Sequence, residues 1–157
     1  MSTHQKIAIV LLRISMGWFF FYAGITKVLN SEWSAAGYLS GAKSLAWLYG
    51  AMLHPAVLPT VNFMNEWGLT LLGISLLLGV FIRLSTSLGA ALMLLYYFAL
   101  AFPYPNKNAF IVDEHIIYVF ALLVLGAFHA GRVWGLETWC AGLPVCKRFP
   151  RLRAWLG

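Results

Sequence analysis

Apolar residues run along the chain in four long stretches, from about Ile7 to Leu29, Asn62 to Ile82, Leu84 to Phe102 and Ala109 to His129. Each is about 20 residues long, which at about 1.5 Å per helical residue matches a hydrocarbon core about 30 Å thick. No stretch alternates with a period of two, so each reads as a helix that satisfies its own backbone hydrogen bonds rather than as a barrel strand. The expected fold is all-α, an integral membrane four-helix bundle in one domain over 1–157, with a basic tail from about 131. The connection between the first two helices breaks the pattern. Trp33, Tyr38, Leu39, Leu45, Trp47, Leu48, Tyr49, Met52 and Leu53 make it too apolar for a water-exposed loop, while Pro55 and Pro59 divide it into pieces too short to span. An interfacial or re-entrant segment is expected there, either roofing a pocket or anchoring the protein through aromatics at the headgroups.

Composition supports a lipid solvent: 61% of the residues are hydrophobic and 10% charged, with a mean hydropathy of +0.78, far from the balance of a soluble domain. Charge then orients the bundle. Four crossings put Lys6, Arg13, Arg83, Arg132, Lys147, Arg148, Arg151 and Arg153 on one side and only Lys27, Lys43 and Lys107 on the other. The first side is expected to be cytoplasmic, with both termini there and the protein in the cell inner membrane. The net charge of +6 sits largely in the tail, where anionic membrane lipids are the expected partner; no nucleic-acid interaction is expected. Arg13 interrupts the first apolar run, and that run is long for a cleaved leader, so it is expected to stay as a membrane helix. Cys140 and Cys146 fall in the cytoplasmic tail without the two-residue gap of a redox dithiol or zinc knuckle, so neither a disulfide nor a metal site is expected.

Ionisable residues at membrane depth are the candidates for chemistry. On the first helix Arg13, Gly17, Phe20, Gly24 and Lys27 share a stripe, and its small residues would let a neighbour approach closely. The second helix presents Glu66, Thr70, Gly73 and Leu77, which places Glu66 at the depth of Lys27 and predicts an ion pair, read either as a site element or as a fixer of helix register. Asp113, Glu114 and His115 open the fourth helix one turn before Tyr118; the acids suit the positive end of a helix dipole whatever else they do. Together Lys27, Glu66, Asp113, Glu114, His115 and Tyr118 form a titratable layer near the outer surface. Such a layer suits proton-coupled redox chemistry, because a quinone takes up two protons on reduction and a quinol releases two on oxidation. Tyr96 and Tyr97 either wall this layer or belong to the membrane belt. His115 and His129 recur on one face about 21 Å apart, but paired haems would need a second chain to complete their ligation, and haem is not expected.

Six ordered blocks carry a family resemblance: LRISMGWFFFYAGITK at 12–27, WSAAGYLSGA at 33–42, NEWGLTLLGISLLLGVFIRL at 65–84, GAALMLLYYFAL at 89–100, NKNAFIVDEHIIY at 106–118 and AGRVWGLE at 130–137. They resemble the DoxX/DoxD family of small four-helix membrane proteins, which includes the membrane large subunit of thiosulfate:quinone oxidoreductase. The resemblance implies a membrane subunit of a quinone-linked oxidoreductase, with quinone as electron acceptor and thiosulfate oxidised to tetrathionate. On charge and depth, Lys27 with Lys107 or Lys43 would attract the anion. Glu66, Asp113, Glu114 and His115 would manage protons, and Tyr118 would contact the bound head. The sequence carries no nucleotide fingerprint, no metal-cysteine set and no outward dithiol, so electrons would pass directly or through a second redox subunit. The competing expectation is a non-catalytic accessory subunit of a larger respiratory or photosynthetic membrane complex.

Overall fold

The computed structural model describes residues 1–103 and 106–142, except for the side chains of Cys140 and Ala141. Cys146 and the basic residues from Lys147 onward lie outside the described residues. The elements are α1 (Thr3–Val28), α2 (Ala36–Ser40), α3 (Ala46–Met52), α4 (Leu58–Leu78), α5 (Ile82–Ala99), α6 (Glu114–Ala127), a 3-10 turn (Ala130–Arg132) and α7 (Glu137–Gly142). α1, α4 and α5 are long and apolar enough to cross a membrane. With the shorter α6 they make an all-α membrane bundle.

Local chemistry sets where the helices end. α1 starts at a capping box in which the Ser2 hydroxyl accepts from Gln5 N and the Gln5 side chain from Ser2 N. α4 begins earlier than the expected 62 because Pro59 falls in its first turn, where a missing N–H costs nothing. It stops at Gly79, whose φ of 68° is a left-handed value that glycine adopts freely. α6 departs most from expectation. It has 14 residues, about 21 Å, rather than the stretch 109–129. Asp113 has extended backbone and accepts from Ile116 N, so the helix can only begin after it. After α6 the chain turns through the 3-10 segment, where Ala130, Gly131 and Val133 are buried in protein.

α1 packs along α4 and α5 along α6, and the two pairs meet through α4 with α5 and α1 with α6. The stripe expected on α1 is the buried one: Arg13, Gly17, Phe20 and Gly24 all face inward. Backbone approach explains the glycines. A Cβ at Gly73 would collide with the backbone of Phe21, and one at Gly24 with that of Thr70. Gly73→Ala is therefore expected to destabilise the bundle by about 1–3 kcal/mol, the usual cost of overpacking. Gly50→Ala, where an added Cβ meets nothing within 4 Å, should be neutral or slightly stabilising; denaturant unfolding in mixed micelles separates the two.

At the end of the bundle where α1 begins, Arg13 is 2% exposed and ties the chain after α6 to α1. Its Nη1 donates to Ala130 O at 2.5 Å and Val133 O at 3.0 Å, and Nη2 to Trp134 O at 3.3 Å. The same segment closes α4, since Leu136 N and Glu137 N donate to Leu78 O and Gly79 O. AGRVWGLE is thus a cap on a helix end, satisfying carbonyls that would otherwise be orphaned.

At the opposite end α2 and α3 fold over the bundle as a roof. Ala35, Leu39, Tyr49 and Ala99 form a second buried cluster, with Trp33, Met52, Leu58 and Val61 packed against it. The roof also caps α5: Tyr49 Oη donates to Leu95 O at 2.6 Å, Tyr38 Oη to Tyr96 O at 2.7 Å and Lys43 N to Ala99 O at 2.9 Å. On the α4 side Ala35 N donates to Asn62 Oδ1.

Candidate functional site

Beneath the roof lies a cavity of about 470 Å³, within the roughly 300–1,000 Å³ of small-molecule sites. Its polar residues come from the ends of four helices and from the roof: Lys27 of α1, Asn65 of α4, Tyr96 of α5, Glu114, His115 and Tyr118 of α6, and Trp33, Tyr38 and Tyr49 above. Its deeper wall is apolar, with Phe19, Phe20, Leu69, Leu92 and Met93.

His115 is the most specifically held of these groups. Its Nδ1 lies 2.6 Å from Asp113 Oδ2. A carboxylate oxygen only accepts, so the imidazole carries its proton on Nδ1. Asp113 is itself fixed: it is buried, and its second oxygen accepts from Ile116 N at 3.1 Å. The helix cap and the orienting carboxylate are therefore the same side chain. The His115 ring packs edge-on against Tyr96, with centroids 5.9 Å apart.

Donors line the polar end. Tyr96 Oη donates to Asn65 Oδ1 at 2.8 Å, which leaves the amide N–H groups of Asn65 outside that bond. Lys27 Nζ donates to Ala23 O at 2.7 Å and sits 5.4 Å from the centroid of the Trp33 ring, a cation–π contact. In the roof, burial together with neighbouring Tyr96, Tyr49 and Asp113 pushes the Tyr38 hydroxyl up to about 12. Burial also raises Tyr49. Both phenols stay protonated at neutral pH and keep donating to α5.

Of the residues singled out in the sequence, Lys27, Glu114, His115 and Tyr118 line the cavity, and Asp113 stands behind His115. Glu66 and Lys107 do not line it. Glu66 is half-buried on α4, and Lys107 is exposed in the turn between α5 and α6. The Lys27–Glu66 ion pair does not form, because Lys27 bends back to its own helix and over Trp33. Asn65, one residue from Glu66 and 8% exposed, takes the place on the wall. The spacing 65, 69, 72, 76 of buried residues on α4 was a usable signal. It competed with the equally regular 66, 70, 73, 77, whose Thr70 and Gly73 are buried against α1.

Comparison with known proteins adds a family. No curated protein and no solved structure matches the chain. The profile of the DoxX family matches residues 8–101, a span that covers most of α1, all of α2 to α5 and the Asn65–Tyr96 bridge. Together with the four-helix membrane architecture, that match places the chain in the DoxX family.

Proposed function

We propose that the protein is the membrane subunit of a quinone-linked oxidoreductase whose cavity receives the quinone head, with thiosulfate as the electron donor. The observation that carries this reading is the Asp113–His115 pair at the wall of an apolar cavity that also presents hydrogen-bond donors. A quinone head has two carbonyl acceptors on a flat apolar ring. The Asn65 amide and the Lys27 ammonium supply donors, and Phe20, Leu69, Leu92 and Met93 supply the apolar wall. When bound, the quinone accepts two electrons and two protons.

The overall balance is two thiosulfates, one quinone and two protons giving one tetrathionate and one quinol; a sulfur–sulfur bond forms and two electrons leave the donors. His115, when protonated at both nitrogens, gives the Nε2 proton to the reduced head. Asp113 holds the ring in place through its Nδ1 contact during the transfer. Glu114, exposed at the cavity rim, exchanges protons between His115 and water. Lys27 offers positive charge to the donor anion. Glu66 and Lys107 take no part in this reading. Electrons reach the head directly or from a second redox subunit. The basic residues of the end that carries Arg13 and Arg132 orient that end to the cytoplasm and the cavity to the opposite face.

The test is quinone reduction by the purified protein in lipid, followed by absorbance on adding thiosulfate, alone and with whatever subunits co-purify. Reduction by the isolated chain identifies it as the catalytic subunit. Reduction only with partners makes it the quinone-docking subunit. No reduction in either preparation favours the accessory-subunit reading.

A further inference from the structure

The α1–α4 and α5–α6 pairs pack more closely within themselves than against each other, which leaves two looser seams. Between α4 and α5 the Asn65–Tyr96 hydrogen bond bridges the helices, and Tyr49 of the roof donates to Leu95 O of α5. Between α1 and α6 the side chains meet through rings, Tyr118 against Phe19 with centroids 4.7 Å apart and against Phe20 at 6.4 Å. Phe19 lines the cavity and yet is 43% exposed. It lies eight residues below Lys27 on α1, so the cavity extends about 12 Å from its polar end along the helix. Phe19 also sits about 5 Å from the midpoint of α1, well inside the depth that hydrocarbon occupies.

We infer that the cavity is filled sideways from the bilayer, through the α1–α6 seam, with Phe19 and Tyr118 as its gate. The ligand class is an amphiphile with an acceptor-bearing head on an apolar tail. The head rises to the donors at Asn65 and Lys27, and the tail leaves past Phe19 into lipid. The cavity has matching polarity, donors at the roofed end and apolar walls at mid-depth. The inference draws its choice of quinone from the function proposed above, but the geometry of the seam stands apart from it.

The experiment uses the full-length protein in liposomes and a bilayer-dissolved aryl diazirine, whose photoproduct inserts into whatever it touches. Leu69 and Met93 line the cavity and are 2% and 3% exposed. Adducts on these two residues are expected, alongside those on lipid-facing Trp18 and Leu71. In Phe19→Trp the inner adducts should fall several-fold while the outer ones stay constant. Adducts confined to the outer residues, or an inner yield indifferent to Phe19→Trp, would overturn the gate. Added decyl-tailed ubiquinone should suppress the inner adducts alone. If inner adducts form, respond to Phe19→Trp and persist with ubiquinone present, the lateral gate holds and the quinone assignment falls.

Discussion

His115→Ala is expected to lower thiosulfate-dependent quinone reduction by roughly 10²–10⁴-fold, the usual contribution of a positioned acid or base, with the protein still folded in the membrane. The side chain is only partly buried and reaches the cavity wall from the first turn of α6, so its removal leaves the packing of α1 on α4 untouched. Asp113→Asn separates orientation from folding. Asparagine remains a good helix cap, so α6 should still start at residue 114. Its amide, however, can present an NH2 to His115 Nδ1 and so lose the contact that holds the ring. Turnover should fall, with a smaller effect on the apparent affinity for quinone. If Asp113→Asn turns over as fast as the parent, Asp113 is a helix cap alone and the orienting role should be withdrawn.

Arg13→Met is expected to be the most damaging single change to the fold. It removes the donors to Ala130 O, Val133 O and Trp134 O. Each buried carbonyl left without its partner costs about 1–3 kcal/mol. The nearby Glu137 carboxylate, which acts electrostatically on Arg13, also loses a favourable charge, although Arg132 still binds its Oε1 at 2.9 Å. A loss of several kcal/mol follows. It should be read as a lower unfolding midpoint in mixed micelles and as faster proteolysis around Trp134–Glu137. Arg13→Lys, with one ammonium in place of a planar fork, should recover only part of it. Resistance to protease equal to that of the parent would show that the segment after α6 docks without Arg13.

The parts of this structure that were legible in the sequence are those set by composition over a whole turn or more. Three of the runs of about 20 apolar residues, an apolar connection broken by prolines, and a stripe on α1 that carries Gly17 and Gly24 translate directly into spans, a roof and a close-packed face. Legibility failed where one residue decides. Glu66 and Asn65 differ by about 100° around α4, and only the mate that α4 meets determines which reaches the cavity. Asp113 read either as a site acid or as a cap at the start of the helix; it is the cap, and what the pattern did not show is that capping at 113 shortens α6. Arg13 looked like a member of the inward stripe, which it is. Its partners lie more than a hundred residues away in the chain, beyond any local pattern. Lys27 found a ring and a carbonyl where a carboxylate was expected, because a flexible ammonium takes whichever acceptor its own helix presents.

The measurement that addresses the central claim most directly is photolabelling of the lipid-embedded protein with a ring-azido quinone, followed by peptide mapping. The account predicts crosslinks within 33–38, 92–96 and 114–118, suppressed by excess unlabelled quinone and weakened in His115→Ala. Crosslinks scattered over the lipid-facing surface, or indifferent to competitor, would contradict it and leave the cavity without its proposed ligand.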